Sequence, residues 1–470
     1  MRRQVPLIVS CAATFLLLAY STIVTVAMPM IAADLRTGFG ALQWVIGVYP
    51  IALAALLVPA GALSDRIGRR TLLVGGLALF AAASLACALA PDVVTLVLAR
   101  LVQGVAGAAL FASTLPLLDA SYTGHDKRRA FAVWGAVSGL AAAVGNVSGG
   151  LLSAFGWRSV FAVGVPLALL AAVLTAALVP EGRTDDPAPL DLLATGLLAA
   201  TVGGFVVAAL VLADQGPSPA LLAIVVACAC LGTALVVRQR RHPGTAPIGP
   251  ALARSPVLRA AAVVAAAYYF AAFGVLPAVS SWLQDALGLT PVSTALVLSV
   301  QPVAFFVTSA ALGTRLGRLS RRRVLTLGLA ICGLGCLALA LPGLTPGWRA
   351  VVPAMLATGV GAGIISPVLP AAAMQGVAAN RTGVAASTVN AARQLGISLG
   401  VAGCAVVVRL QQPGTDPALW PRTLTSIALL AGGVCAAAAV GTAVVLRRAP
   451  VGRAGDLGLT GASDVHRLNG

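Results

Sequence analysis

Charge is what this sequence has least of. Asp, Glu, Lys and Arg make up 10% of its 470 residues, where a soluble domain carries about a quarter. Histidine is nearly missing too, with three residues, His125, His242 and His466. They fall in connecting segments or the tail, where they are poor proton relays. Eight cysteines are present, but all sit inside apolar runs, which argues against a disulfide framework. Cys228-x-Cys230 and Cys332-x3-Cys336 have no histidines to complete a zinc pattern and read as small packing residues, so no metal site is expected. No G-x-x-x-x-G-K-[ST] loop appears, which excludes direct ATP drive. The few acids lie scattered, so there is no constellation for enzymatic chemistry and no cofactor site.

What fills the chain instead is apolar: 59% hydrophobic residues and a mean hydropathy of +0.97. Stretches of roughly 20 apolar residues recur, each long enough to cross a hydrocarbon core about 30 Å thick. Without water in that core the backbone must satisfy itself, so these stretches are helices. The 51 glycines suit close helix–helix approach in lipid. Apolar length and turn residues predict an all-α membrane protein with about fourteen spans. They run near 6–33, 41–62, 71–90, 93–118, 129–153 and 159–179, then 191–213 and 219–237. The last six lie near 257–283, 292–314, 324–341, 349–374, 383–408 and 423–446.

The basic residues orient these spans. With both termini placed in the cytoplasm, 24 of the 31 basic residues fall inside, 5 fall outside and 2, Arg100 and Arg393, are embedded. That is a strong positive-inside bias. The net charge of +17 therefore reflects topology in a cell membrane, inner or plasma. Nucleic acid is not an expected partner, because no basic face or reading module accompanies the charge. Met1-Arg2-Arg3 before an apolar run imitates a signal peptide, but the run is too long and leads into further spans, so it reads as an uncleaved first helix.

The chain also echoes itself. An offset of roughly 250 residues carries the first span onto the ninth and the Gly61–Arg70 segment onto Gly313–Arg323. It also carries Gly104 and Gly107 onto Gly359-x-Gly361-x-Gly363. Two six-helix bundles with a site between them is the arrangement expected of such repeats. The expected layout is residues 1–180 and 257–447 as the bundles. Residues 181–256 supply two inserted helices and a loop, and 448–470 form a Gly-rich, disordered tail.

The most informative stretch is Gly61-Ala62-Leu63-Ser64-Asp65-Arg66-Ile67-Gly68-Arg69-Arg70, between the second and third spans. Its spacing G-x-L-x-D-R-x-G-R-R resembles the signature loop of the major facilitator superfamily at every specified position. Further stretches resemble the fourteen-helix drug:proton antiporter branch. They include Thr22–Pro29, Gln43-Trp44-Val45 with Tyr49, Arg100-x-x-Gln103-Gly104, the glycine-rich run Gly139–Gly150, Trp157-Arg158 with Phe161 and Val165-Pro166, and Asn390-x-x-Arg393-Gln394-Leu395-Gly396. Three positions depart from that branch. Tyr20 stands where it usually has Asp, Thr25 where it has Asn, and Asn146 follows Gly145 where it has Pro.

The resemblance implies a secondary transporter that exports drugs or small amphiphilic metabolites by alternating access, coupled to proton antiport. Its partners are a small-molecule substrate, the proton and the lipid bilayer, with no obligate protein partner. An uncoupled facilitator is the alternative that Tyr20 keeps open, and a non-transporting sensor is a third reading. In this frame Gly61, Asp65, Arg66, Gly68, Arg69 and Arg70 form the gating loop, with a plain topological anchor as the alternative. Arg100, Gln103 and Asp34 are the coupling candidates. Asp34 is the nearest acid for Arg100, because Asp119 lies roughly 28 Å further along the same helix. Asp34 reads equally as an interfacial loop acid. Tyr20, Thr25, Tyr49, Trp134, Asn146, Asn390 and Arg393 are cavity candidates. For the two amides, hydrogen bonding between helices is the competing role, and for Arg393 it is closure of the cytoplasmic side. Gly139, Gly145, Gly149 and Gly150 mark the antiporter-type helix. Two embedded arginines and no embedded acid favour a neutral, zwitterionic or anionic cargo over a lipophilic cation.

Overall fold

The computed structural model describes residues 4–37, 39–153, 155–181, 191–242, 245, 254–316, 319–345, 347–374, 377, 382–411 and 418–448. It is helical throughout these residues. In chain order the rods are α1 (Val5–Asp34), α2 (Phe39–Ile67), α3 (Arg69–Ala88), α4 (Val93–Ser121), α5 (Gly124–Ser153) and α6 (Trp157–Leu178). Next come α7 (Leu192–Gln215) and α8 (Pro219–Arg241). The series closes with α9 (Pro256–Gln284), α10 (Pro291–Leu316), α11 (Arg321–Gly343), α12 (Trp348–Met374), α13 (Thr382–Gln411) and α14 (Trp420–Arg448). Among the described residues, 12 helices are long and apolar enough to cross a membrane. The other two rods, α1 and α5, are each 30 residues long and include side chains outside the described set. The count of fourteen crossings thus remains the expectation from sequence.

Local chemistry sets where the rods begin. Asp92 caps α4 by accepting from the Thr95 amide at 2.8 Å, and Asp191 caps α7 through Ala194 at 3.0 Å. Ser218 and Ser255 cap α8 and α9, each followed by a proline at the first helical position. There the missing N–H costs nothing and the fixed φ suits a helix. Gly68 opens α3 with φ of +103°, a conformation that makes the tight α2–α3 turn possible for glycine alone. A π-helical turn, Phe270–Gly274, interrupts α9, and a second, Trp282–Ala286, closes its C-terminal end. Such bulges are frequent at functional sites.

The packing repeats. Within α1–α6 the principal pairs are α1 with α5, α2 with α4, and α3 with both α4 and α6. Within α9–α14 the same partnerships recur as α9 with α13, α10 with α12, and α11 with both α12 and α14. The glycine echo has the same basis. A side chain at Gly104 would meet the Tyr49 carbonyl of α2, and one at Gly359 would meet the Gln301 carbonyl of α10. The two sets touch along two seams, α2 against α13 and α5 against α10, which exchange under the same repeat. Helices α7 and α8 pair with each other, and α7 lies against both α2 and α13.

Candidate functional site

The Gly61–Arg70 segment ends α2 and begins α3, and it is here that the first seam is tightest. Asp65 is buried, and its carboxylate crosses to the other helix set. Oδ1 accepts from the Gly383 amide at 3.0 Å and Oδ2 from the Val384 amide at 3.3 Å. These amides belong to the first turn of α13, where N–H groups have no partner inside the helix. Asp65 is therefore a helix cap supplied from 318 residues away. Its charge also faces the positive end of the α13 dipole. Close approach makes this possible: a Cβ on Gly61 would meet Ser387 Oγ and lie 2.5 Å from the Gly383 carbonyl oxygen. A Cβ on Gly383 would lie 2.5 Å from the Gly61 oxygen in return.

The rest of the loop divides its contacts. Arg69 donates to Thr382 Oγ1 at 3.0 Å, adding a second tie across the seam. Arg70 donates to the Ala176 carbonyl near the end of α6, and Thr71 donates to Glu181 at 2.6 Å, so both hold the loop to its own bundle. Gly68 leaves no room for a side chain beside the Glu181 carboxylate. Arg66 is exposed. On the second seam, Ser309 of α10 donates to the Ala132 carbonyl of α5 at 3.3 Å, and Gly139 sits against the Phe305 ring. Gly139 thus serves contact between the sets. Gly149 instead lets the backbone of α5 approach Ile23 of α1, and Gly145 is buried. The side chains of Thr25 and Asn146, and the surroundings of Gly150, lie outside the described residues, as does part of the Gly313–Arg323 echo.

The two embedded arginines have different surroundings. Arg100 is 1% exposed and well partnered. Its Nε donates to the Val45 carbonyl at 3.1 Å, and Nη1 donates to Gln103 Oε1 at 2.7 Å and the Tyr20 carbonyl at 3.4 Å. Gln103 passes the chain on to Ser84 at 2.8 Å. The Tyr49 ring lies 4.4 Å below the guanidinium, while its hydroxyl donates to the Leu17 carbonyl at 2.8 Å. The cluster ties α1, α2, α3 and α4 together around one charge.

Arg393, at 2% exposure, is held by rings instead. Its guanidinium lies 5.4 Å from the Trp134 ring centroid and 5.6 Å from that of Tyr269. Nη1 donates to Asn390 Oδ1 at 3.1 Å. Trp134, on α5, is fixed by donating to Thr14 of α1 at 2.8 Å and by stacking on Phe111. Tyr269 packs between Tyr268 and Phe273 on α9. Aromatic residues from both helix sets therefore meet at Arg393.

A model of the Major Facilitator Superfamily matches residues 10–401. The chain belongs to that superfamily. Among curated relatives it is 34% identical over 423 residues to the methylenomycin A resistance protein of Streptomyces coelicolor, covering 88% of each chain. It is 34% identical to the puromycin resistance protein of Streptomyces alboniger, across 89% of this chain and 85% of that one. With the multidrug efflux pump LfrA of Mycolicibacterium smegmatis the identity is 32%, over 85% and 80%. Among solved structures, the human organic anion transporter MFSD10 (TETRAN) superposes with a TM-score of 0.69 at 14% identity, covering 94% of this chain and 99% of that one, a likeness of fold. As a member of the major facilitator superfamily, the protein is a membrane transporter of small molecules and not an enzyme.

Two expectations about this transporter need correction. Tyr20, expected in a cavity in place of the family's acid, is 2% exposed and stitched to α6: its hydroxyl donates to the carbonyls of Val160 and Phe161 at 2.9 and 3.2 Å. Its ring meets Phe80 edge-on. The phenol is long enough to reach the neighbouring helix and joins the packing there. Asp34, expected as the acid nearest Arg100, pairs with Arg158 at 2.5 Å and accepts from the Trp157 indole at 2.9 Å. Those two donors hold its carboxyl below the ordinary value of 3.8. Arg100 takes carbonyls and an amide instead, because both it and its partners are deep inside the bundle while Asp34 is exposed at the end of α1. A groove of about 520 Å³ between α10 and α12 is lined by Leu296, Val303, Val307, Leu356 and Val360. Leu296, Val303 and Val307 are themselves exposed, so the groove is open rather than enclosed.

Proposed function

We propose that this protein exports small amphiphilic drugs or metabolites across the cell membrane by alternating access. The observation that carries the reading is the Asp65 cap on α13, reinforced by the Arg69–Thr382 bond. Both contacts join helix sets that must separate on that side for a cargo site between them to open. Two charge-assisted contacts on a helix end are worth little enough to break and enough to bias a state, roughly 0.3–2 kcal/mol for the carboxylate. Relatives named for resistance to methylenomycin A and puromycin and for multidrug efflux support export as the direction. The excess of basic residues in the loops on the Asp65 side supports a cytoplasmic position for that side and for both termini. The observed state is then closed to the cytoplasm.

Proton antiport is the drive we assign, from the branch this chain resembles. The competing reading, an uncoupled facilitator, draws on a specific observation: Asp34 is held charged by Trp157 and Arg158 at the exposed end of α1. Reconstitution into vesicles with the cytoplasmic face outward separates these readings. With methylenomycin A as cargo and an acidic lumen, antiport gives accumulation that collapses when nigericin dissipates the gradient. Equal flux with and without the gradient establishes the facilitator. Flux no greater than in protein-free vesicles for both puromycin and methylenomycin A rejects the export reading.

A further inference from the structure

The two buried arginines make an internal comparison. Arg100 has its charge distributed over two backbone carbonyls, a glutamine and a tyrosine ring, and none of its nitrogens is a buried atom lacking a partner. Arg393 is as deeply buried, yet no protein group takes its Nε or its Nη2. Asn390 Nδ2 is likewise buried, with no partner among the described residues. Because Asn390 Oδ1 occupies Nη1, the amide orientation is settled and its NH2 group points elsewhere. Every donor in this group that is left over is an N–H. Among the described residues no ion pair involves Arg393, and every acid in the sequence falls at a helix end, in a loop or in the tail.

We propose that Arg393 and Asn390 form the oxyanion-binding part of the substrate site, a proposal that rests on the exporter reading above. The two open nitrogens are adjacent on one edge of the guanidinium, and their N–H bonds run parallel. That edge is the bidentate fork that fits two oxygens of a carboxylate, sulfonate or phosphate. A halide fills only one arm of it, and a cation is repelled. Trp134, Tyr269 and Phe273 supply the apolar walls for the rest of the molecule. The cargo class is therefore an anionic amphiphile with an oxyanion head and an aromatic or apolar body.

The position fits a transported ligand. Arg393 lies 11 residues past Thr382, the start of α13, and Trp134 lies 10 past Gly124, the start of α5. At 1.5 Å per residue both are about 15 Å along their helices, and Arg393, counted from the apolar span that opens near residue 383, is about 15 Å into the membrane, near its middle. Trp134 belongs to one helix set, and Arg393 and Tyr269 belong to the other. When the seam on the far side opens, the ring of Trp134 withdraws from the guanidinium and the fork is offered to an entering anion. In the observed state the rings take the place of the anion, so the charge always has something over it.

A matched pair of probes tests this on the full-length protein in phosphatidylcholine nanodiscs. 1-Anilinonaphthalene-8-sulfonate carries the oxyanion, and N-phenyl-1-naphthylamine is the same body without it. The sulfonate is expected to bind saturably, with about tenfold weaker affinity in Arg393→Lys, which keeps the charge and loses the fork. The amine is expected to bind the wild type and the variant alike. Asn390→Asp supplies an internal carboxylate beside the guanidinium. It is expected to raise the melting temperature while abolishing sulfonate binding, so a loss of binding there is not a loss of fold. Equal sulfonate affinity in wild type and Arg393→Lys overturns the proposal, as does an equal loss for both probes. Sulfonate binding that appears only after adding phosphatidylglycerol to the nanodisc also overturns it, since that places the probe at the lipid surface. Failure of the export reading looks different: Arg393-dependent binding with no flux in vesicles leaves the anion site standing and rejects export.

Discussion

Single residues decide the state of this transporter, and Asp65 is the one with most to lose. Replacing it by Ala leaves the first amides of α13 uncapped, which costs about 0.5–2 kcal/mol. Asn still caps but gives up the interaction with the helix dipole, about 0.3–1 kcal/mol. Methylenomycin A flux, normalised to protein in the membrane, is therefore expected to fall in the order wild type, Asp65→Asn, Asp65→Ala. The step to Ala should be several-fold, and an Asn variant worse than the Ala variant would refute the capping role. Asp34 yields a pH signature. Trp157 and Arg158 depress its pKa below 3.8, so its contribution to stability is present above that value and fades as pH falls through the lower folded one. Asp34→Asn is expected to lower the melting temperature in detergent at pH 7. The gap from wild type should narrow as pH falls below 3.8, and a gap that stays constant with pH would show that the carboxylate charge plays no part. Some of this was legible in sequence. The Asp65 loop announces itself because its spacing is dense and its surroundings are apolar. The partners of Tyr20 and Asp34 were not legible, because they lie more than 120 positions away, on α6.

Among the elements, the α7–α8 hairpin differs most from its sequence description. Apolar length alone finds these helices, and their lack of an echo marks them as inserted. Their docking is invisible to such reasoning, because it depends on which surface of α2 and α13 is left uncovered. The hairpin is closed at its base by Asp191, which caps α7 and pairs with Arg238 of α8 at 2.6 Å. A side chain at Gly203 would lie 3.2 Å from Ala55 of α2, and Arg409 of α13 packs on Gly216 at the hairpin tip. Asp191→Ala removes both cap and ion pair at once. It is expected to increase proteolysis in the segment joining α8 to α9 and to weaken the hold on the seam, while Arg238→Ala should give a smaller effect because the cap survives. Limited trypsinolysis in nanodiscs followed by mass spectrometry reads this directly. Equal cleavage in all three proteins would mean that the staple is dispensable. The π-turns of α9 were likewise beyond reach of the sequence, since nothing in Phe270–Gly274 or Trp282–Ala286 distinguishes it from ordinary α-helix.

For the whole molecule, the architecture was the most legible part, because membrane helices need only length and composition, and the repeat follows from the chain's own echo. The central site was the least legible: Trp134, Tyr269 and Arg393 are 135 and 124 positions apart along the chain and come together only when the two helix sets meet. Alternating access also makes a prediction at this scale. Cysteines replacing Arg69 and Thr382, whose side chains touch across the seam, are expected to be joined by a short bis-maleimide and to stop methylenomycin A flux. The eight native cysteines are free thiols, most of them buried, so the unmodified parent serves as the control. Unimpeded flux through the cross-linked protein would mean that this side never opens. The hairpin then gives an otherwise two-fold machine a front and a back. One of its two seams is roofed by α7, and among the described residues no helix roofs the other, between α5 and α10. An exporter that takes its cargo from the bilayer is then expected to admit it past Gly139 and Phe305, on the flank away from the hairpin.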